Sequence, residues 1–392
     1  MASSSCFWFR RFGWFYAGLL AASAAGCAAV PARTADPLGP PPAALRHQFL
    51  ELCDLATAEL NKQITPFLVY HRDYADPATH HMPAFEDAHA VRALAVAYDM
   101  TGRRCYLDAC RRWADWAVAC QHGMIPTGAY YMNHSRAPGQ DQGQWNVADS
   151  GSIGMGVLAT AVRCTEPAAK AKYLDSVKAF AKLVMDNYVS PEGGISNGHW
   201  PEYAGPWWCS SANAGTLLFL LHEETGDEQY RKTACGALEW LLRQDFREVK
   251  PITFEQRPSG IIFYCFEFYA TGLKYLDAES SARASLVRQL DGALDWMAKN
   301  QKTRGAPVPD YTEKNVDMAG LPYLMYLFAR EFPQHRGIVS AADAELLYVG
   351  DLLLGRGRPN VSRLMTWEVM TWGMMSYAER LAPGGMHRTS RR

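Results

Sequence analysis

Apolar residues along this chain recur at i, i+3, i+4 and i+7 over long stretches, the spacing that lines one face of an α-helix. From Pro42 onward this pattern predicts helices over Ala43–Ile64, Phe85–Thr101, Arg104–Gln121, Val147–Cys164, Pro167–Tyr188 and Ser210–Thr225. It continues over Glu228–Phe246, Gly260–Leu276, Ala278–Gln301, Val316–Phe332, Ala341–Leu354 and Arg363–Leu381. Strict alternation, the mark of a half-buried strand, is sparse. Short strands are expected only in the loops before Phe85, Val147, Ser210 and Val316.

The helices fall into two kinds. Gly154–Val162, Gly215–Leu221, Gly260–Tyr269, Met318–Phe328 and Val369–Tyr377 are small, aromatic and apolar nearly all round, which means burial on every side. Ala168–Lys182, Gln229–Arg243 and Ser280–Lys299 carry charge on one face and belong outside. The kinds alternate, and a turn motif repeats between them. Tyr98-Asp99-Met100-Thr101-Gly102-Arg103-Arg104-Cys105-Tyr106 matches Glu223-Glu224-Thr225-Gly226-Asp227-Glu228-Gln229-Tyr230, with looser copies at Thr165–Pro167 and Leu276–Ala278. The unit is an αα-hairpin of roughly 50–60 residues that buries its face only against its neighbours. About six inner and six outer helices close into an all-α toroid, an (α/α)6 barrel, expected as a single domain over residues 45–382 with 383–392 as a disordered tail. Tight turns lie at one end. The long loops lie at the other, with the N-termini of the inner helices, and such loops on a rigid scaffold are where binding groups usually sit.

The N-terminus departs from this pattern. Arg10 and Arg11 precede the apolar run Phe12–Ala25, which is too short for a convincing membrane span. Ala24-Ala25-Gly26-Cys27 follows and resembles the lipobox of bacterial lipoproteins. The resemblance implies a signal peptide over 1–26, lipidation of Cys27, and an exported protein held at the periplasmic or cell-envelope face of a membrane only by that anchor. Plain cleavage near Ala25 would instead release a soluble exported protein. The Pro- and Ala-rich stretch 27–44 reads as a tether. Eight further cysteines are scattered without CxxC or metal spacing, so buried thiols are expected for most of them.

Charge excludes little else. Forty acidic and 39 basic residues nearly cancel, which gives no footprint for nucleic acid. No nucleotide, haem or flavin fingerprint is present, and no cofactor or metal is expected. Aromatic content is more informative: 12 Trp and 19 Tyr occur, and many fall in the long loops rather than on the apolar helices. Tyr130-Tyr131 near His134, His199-Trp200 near Trp207-Trp208, and Phe254 near Arg257 place aromatic faces beside polar groups at one mouth. Such mixtures suit a sugar, whose C–H face stacks on a ring while its hydroxyls take hydrogen bonds. Loop tryptophans that merely plug the barrel would show the same composition. The oligomeric state is not legible.

Carboxylates recur at the inner helix starts: Glu86-Asp87, Asp149, Asp317 and Glu368. Each can be an N-terminal cap, since a carboxylate there meets backbone N–H groups and the positive end of the helix dipole. Two facing one another across a pocket would also satisfy glycosidic chemistry, which needs one protonated and one ionised. Asp149 is the first candidate for the acid, because His134 and Trp145 precede it in one loop–helix unit; Asp87 is second, with His89 beside it. Asp317 and Glu368 read as caps.

The barrel pattern, the Thr-Gly-Asp turn followed by Tyr, and the order His134…Trp145…Asp149 before a glycine-rich apolar helix resemble the six-hairpin glycosidases, most nearly the unsaturated rhamnogalacturonyl and glucuronyl hydrolases. The resemblance implies Asp149 as the general acid/base, which protonates the C4=C5 double bond of a Δ4,5-unsaturated uronic sugar at the end of a short oligosaccharide. Water adds at C5, and the hemiketal collapses to release the sugar. It implies Asp87 as the second catalytic carboxylate and Tyr131, His134, Trp145, His199, Trp200, Trp207, Trp208 and Arg257 as substrate contacts. A saturated uronidase or other glycosidase, a polysaccharide lyase and a non-catalytic glycan-binding lipoprotein remain as alternatives on the same scaffold.

Overall fold

The computed structural model describes residues 38–60, 84–132, 145–198, 205–244, 259–288, 313–356 and 367–390. Its helices, in chain order, are α1 (Ala43–Leu60), α2 (Ala84–Thr101), α3 (Arg104–Gln121), α4 (Val147–Arg163), α5 (Pro167–Asn187) and α6 (Trp208–Thr225). They continue with α7 (Glu228–Arg243), α8 (Ser259–Gly272), α9 (described over 281–288), α10 (Glu313–Glu331), α11 (Val339–Leu353) and α12 (Trp367–Leu381). Among the described residues, extended pairing is limited to isolated bridges, Val189 with Ile195 and Ser196 with Pro206, in the loop before α6.

The inner helices form a closed ring. Each of α2, α4, α6, α8 and α10 packs on the next, α10 packs on α12, and α12 packs back on α2. The architecture is the expected all-α (α/α)6 barrel. Close approach depends on small residues: a Cβ on Gly156 of α4 would meet Ala88 and Trp113 at 3.0 Å, so α4 reaches α2 only because glycine stands there. The outer helices cover the seams between the inner ones. The ends of the chain meet where α1 packs against α11 and α12. There Gln48 donates to the Leu347 carbonyl at 3.1 Å and accepts from the Tyr377 hydroxyl at 2.7 Å.

The repeated turn is reproduced atom for atom. Thr101 Oγ1 donates to the Ala97 carbonyl and accepts from the Arg103 N–H at 3.2 Å, while the Gly102 N–H donates to Tyr98 at 2.7 Å. At the second copy Thr225 bonds Leu221 and Asp227 in the same way, and Gly226 donates to His222 at 2.7 Å. Both glycines have left-handed φ, +71° and +79°, which ends each inner helix and reverses the chain.

Two boundaries differ from the sequence reading. The expected disordered tail is packed through Ser390: Gly385–His387 forms a 3₁₀ turn, and Met386, His387 and Thr389 are buried. His387 is drawn in by a carboxylate on the barrel axis, which composition alone does not disclose. At the other end Leu38 is buried, and the Gly39 and Pro40 carbonyls accept hydrogen bonds from Arg380. The eight cysteines of the described region are free thiols, six of them buried.

Candidate active site

Inner helices α2 and α8 stand opposite one another in the six-membered ring, so any contact between them crosses the barrel axis. Two such contacts are stacked one helical turn apart. In the upper layer, nearer the inner N-termini, His89 Nε2 of α2 lies 3.2 Å from the Tyr264 hydroxyl of α8. Trp372 of α12 lies tilted against His89 at 4.5 Å between ring centroids and 5.4 Å from Tyr264. Three residues further along each helix, Arg92 pairs with Glu267. The lower layer is completed by the Tyr323 hydroxyl, 2.8 Å from Glu267, and by His387 Nε2 at 2.7 Å. In the lower layer the Glu267 carboxylate is held by Arg92, Tyr323 and His387 together, as a buried charge requires.

Protonation in the upper layer follows from its surroundings. Burial, and then the Arg92 charge, pushes His89 down to about 3, so its imidazole is neutral at ordinary pH. Burial, and then the neighbouring acidic groups Cys209, Asp149 and Glu368, hold the Tyr264 phenol well above the tyrosine range. Tyr264 therefore keeps its proton and donates it to His89 Nε2, which we assign the Nδ1–H tautomer. Neither His89 Nδ1 nor Trp372 Nε1 has a hydrogen-bond partner among the described residues.

One turn above this floor lie the first turns of the inner helices. Asp149 precedes Ser152 by three positions, Glu86 precedes His89 by three, and Glu368 precedes Trp372 by four, so each carboxylate shares a helix face with a floor residue. Asp149 is half-buried. Asn146 caps α4 and binds Asp149 twice, its Oδ1 taking the Asp149 N–H and its Nδ2 donating to Asp149 Oδ2, both at 2.8 Å. Burial outweighs the lowering effect of the Asn146 bond and pushes the carboxyl up to about 6. Asn146 thus supplies the cap of α4, and the Asp149 carboxyl beside it is raised by burial.

Asp87 is placed differently. It is 1 % exposed, and its two oxygens accept indole N–H bonds from Trp113 of α3 at 3.2 Å and Trp367 of α12 at 2.8 Å. Asp87 joins three helices, whereas Glu368, the residue after Trp367, keeps partial exposure. Trp145 is buried between Tyr188, at 5.5 Å in a T-shaped contact, and Gly198, where a Cβ would meet the indole at 2.6 Å. That tryptophan fixes the loop before α4. Tyr131 is buried, while Trp207 and Trp208 are half-buried at the start of α6. His134, His199, Trp200, Arg257 and Cys27 lie outside the described residues, and so does the side chain of Asp317.

Tyr264, Ser152 and Trp372 were not singled out by the sequence reading. The signal for the layered axis was present as polar residues spaced i, i+3 on otherwise apolar inner helices, His89 with Arg92 and Tyr264 with Glu267. Without knowing that α2 and α8 oppose one another, each pair reads as an isolated polar intrusion.

The chain matches no known family pattern and no curated protein sequence. Its fold does match solved structures. The Lin0763 protein from Listeria innocua superposes with a TM-score of 0.58 at 12% identity over 85% of this chain and 97% of that one. A family 76 glycoside hydrolase from a bovine Bacteroides thetaiotaomicron strain gives 0.51 at 12% identity over 86% and 78%. The family 76 mannosidase Bt3792 from Bacteroides thetaiotaomicron gives 0.47 at 13% identity over 85% and 98%. At these identities the likeness is one of fold.

Proposed function

We propose that this chain is a glycoside hydrolase acting at the loop end of the barrel, with Asp149 as general acid. The observation that carries the reading is Asp149 itself, a half-buried carboxylate at an inner helix start, raised to about 6 by burial and lying above a floor of uncharged donors. An acid of that strength is protonated in mildly acidic solution yet gives up its proton readily, which is what protonation of a glycosidic oxygen or an enol-ether carbon requires. The half-buried Trp207 and Trp208 suit the apolar face of a sugar ring. The scaffold is shared with a glycoside hydrolase of known structure.

Within this class, the substrate we propose is a short oligosaccharide ending in a Δ4,5-unsaturated uronic sugar. Asp149 gives its proton to C4, water bonds to C5, and the resulting hemiketal opens to release the sugar. The test follows the alkene absorbance of unsaturated disaccharides, with saturated uronides and mannosides assayed in parallel. Wild-type protein should consume the alkene with a rate that falls as pH rises through about 6, and Asp149→Asn should lose roughly 10²- to 10⁴-fold in kcat. Unchanged turnover in the variant would remove the assignment. Turnover of only saturated glycosides would keep the class and replace the substrate, and growth of alkene absorbance would indicate a lyase.

A further inference from the structure

Outside the ring of inner helices, a cavity opens between the outer helices α3 and α5. α3 leaves the tight turn at Gly102, so its C-terminal end lies at the loop end of the barrel, and the loop after it folds back toward α5. The cavity holds about 580 Å³, within the roughly 300–1,000 Å³ of small-molecule sites. Its floor is tied on every side. The buried Gln121 donates from Nε2 to the carbonyls of Gly128 at 2.8 Å and Ser176 at 3.1 Å, and its Oε1 accepts from Ser176 Oγ at 2.6 Å. With that proton spent, Ser176 Oγ accepts from the Tyr130 hydroxyl at 2.7 Å. The Tyr130 carbonyl accepts from Ser150 Oγ at 3.3 Å, beside Asp149, so one residue joins the cavity floor to the start of α4. The loop also presses on α5: Gly128 has φ +95°, and a Cβ there would meet the Ala179 carbonyl at 2.7 Å.

The walls are polar and uncommitted. His122, Thr127 and Asp175 line the cavity, are exposed, and make no side-chain hydrogen bond or ion pair among the described residues. Lys172 is the exception, since it holds Asp115 at 2.8 Å. An anion would meet the Asp175 carboxylate and an ammonium already matched. A metal ion would meet one free carboxylate where several oxygens are needed. A wholly apolar ligand would strip water from Asp175 and Thr127 without replacing its hydrogen bonds. A polyol suffers none of these penalties: its hydroxyls can donate to Asp175 and accept from Thr127 while its C–H groups lie on Val118 and Ala179. We propose that this cavity is a second, non-catalytic saccharide-binding site, which takes a neutral sugar unit of a longer glycan and holds that glycan beside the barrel mouth. The proposal rests on the hydrolase reading for the role of the mouth, and the class of ligand comes from the cavity's own donors and acceptors.

The test runs the full chain through native gels cast with a neutral mannan, galactan or β-glucan, beside gels without polymer. Wild-type protein and Asp149→Asn should be retarded alike by at least one of the three. Asp175→Ala removes the carboxylate acceptor, and Ala179→Arg fills the cavity from an exposed position on α5. Each should melt like the wild type, weaken retention roughly tenfold, and leave kcat and KM on a short disaccharide unchanged. The free methyl glycoside of the retarding polymer should restore mobility, and sodium phosphate should not. No retention in any gel, retention unchanged in both variants, or release by phosphate alone would overturn the proposal. Beside an active wild type and a dead Asp149→Asn, each of those results would leave the hydrolase reading standing. Retention that Asp175→Ala and Ala179→Arg both weaken, in a chain inactive on every glycoside, would do the reverse.

Discussion

Asp149 illustrates how one residue can be useful to chemistry and costly to the fold. Its folded value, about 6, lies above the ordinary 3.8, so the folded state holds a proton that the unfolded chain has released between those limits. Stability from this group is therefore full below about pH 3.8 and is lost as pH rises through about 6. Asp149→Asn removes the charge and with it the dependence. The variant should melt higher than wild type at pH 7, by about 1–2 kcal/mol after discounting for its partial exposure, and the gap should close by pH 4. Melting curves at the two pH values test this. A gain in stability coupled to loss of turnover is the expected signature of a strained functional group. The residue was legible in the sequence, because an Asn three positions before an Asp, ahead of an apolar run, signals a helix start. Its raised value was not, since that depends on what packs above and beside the helix.

At the scale of elements, the repeated turn is the most transferable piece of local physics. Thr225 bonds back into α6 while accepting the N–H that leads to α7, and Gly226 adopts φ +79° between them. Gly226→Ala places a Cβ in the left-handed region and should cost about 1–2 kcal/mol, read as a lowered melting temperature with activity per folded molecule unchanged. The site lies at the other end of the helices, so the two effects separate. Hairpins of this kind were readable because the turn uses local hydrogen bonds and the helices use local periodicity. The start of α6 was less so: it begins at Trp208, two residues before the sequence reading places it, because the bridge of Ser196 with Pro206 and the bond from Trp207 N–H to the Ile195 carbonyl deliver the chain there.

For the whole molecule, closure of the ring and the filling of its axis are one problem. Glu267 binds Arg92 from the opposite helix, Tyr323 from a neighbour and His387 from the C-terminal turn. Burial raises its carboxyl, but the Arg92 charge and the His387 bond outweigh burial and hold it well below the usual range. Its contribution is thus present above the ordinary glutamate range and lost as pH falls toward the folded value, opposite in sign to Asp149. Together these two groups favour a stability maximum in mildly acidic solution. Glu267→Gln leaves Arg92 buried without its counter-charge and should cost about 3–5 kcal/mol. Denaturant unfolding at pH 7 measures that cost, and protease sensitivity after His387 reports release of the C-terminal turn.

The sequence by itself determined the helices, their division into inner and outer sets, the repeated turn, the toroid, and the carboxylates at the inner helix starts. All of these follow from periodicity and local hydrogen bonding, which operate over a few residues. Only the tertiary structure decided which of these carboxylates is buried and held by other helices. Along the chain Asp87 reads as a second catalytic carboxylate and Glu368 as a cap. In the fold, ring closure carries the Trp367 indole onto Asp87 and leaves the next residue partly exposed. The C-terminal turn was decided in the same way, by a charge on the axis more than a hundred residues away along the chain.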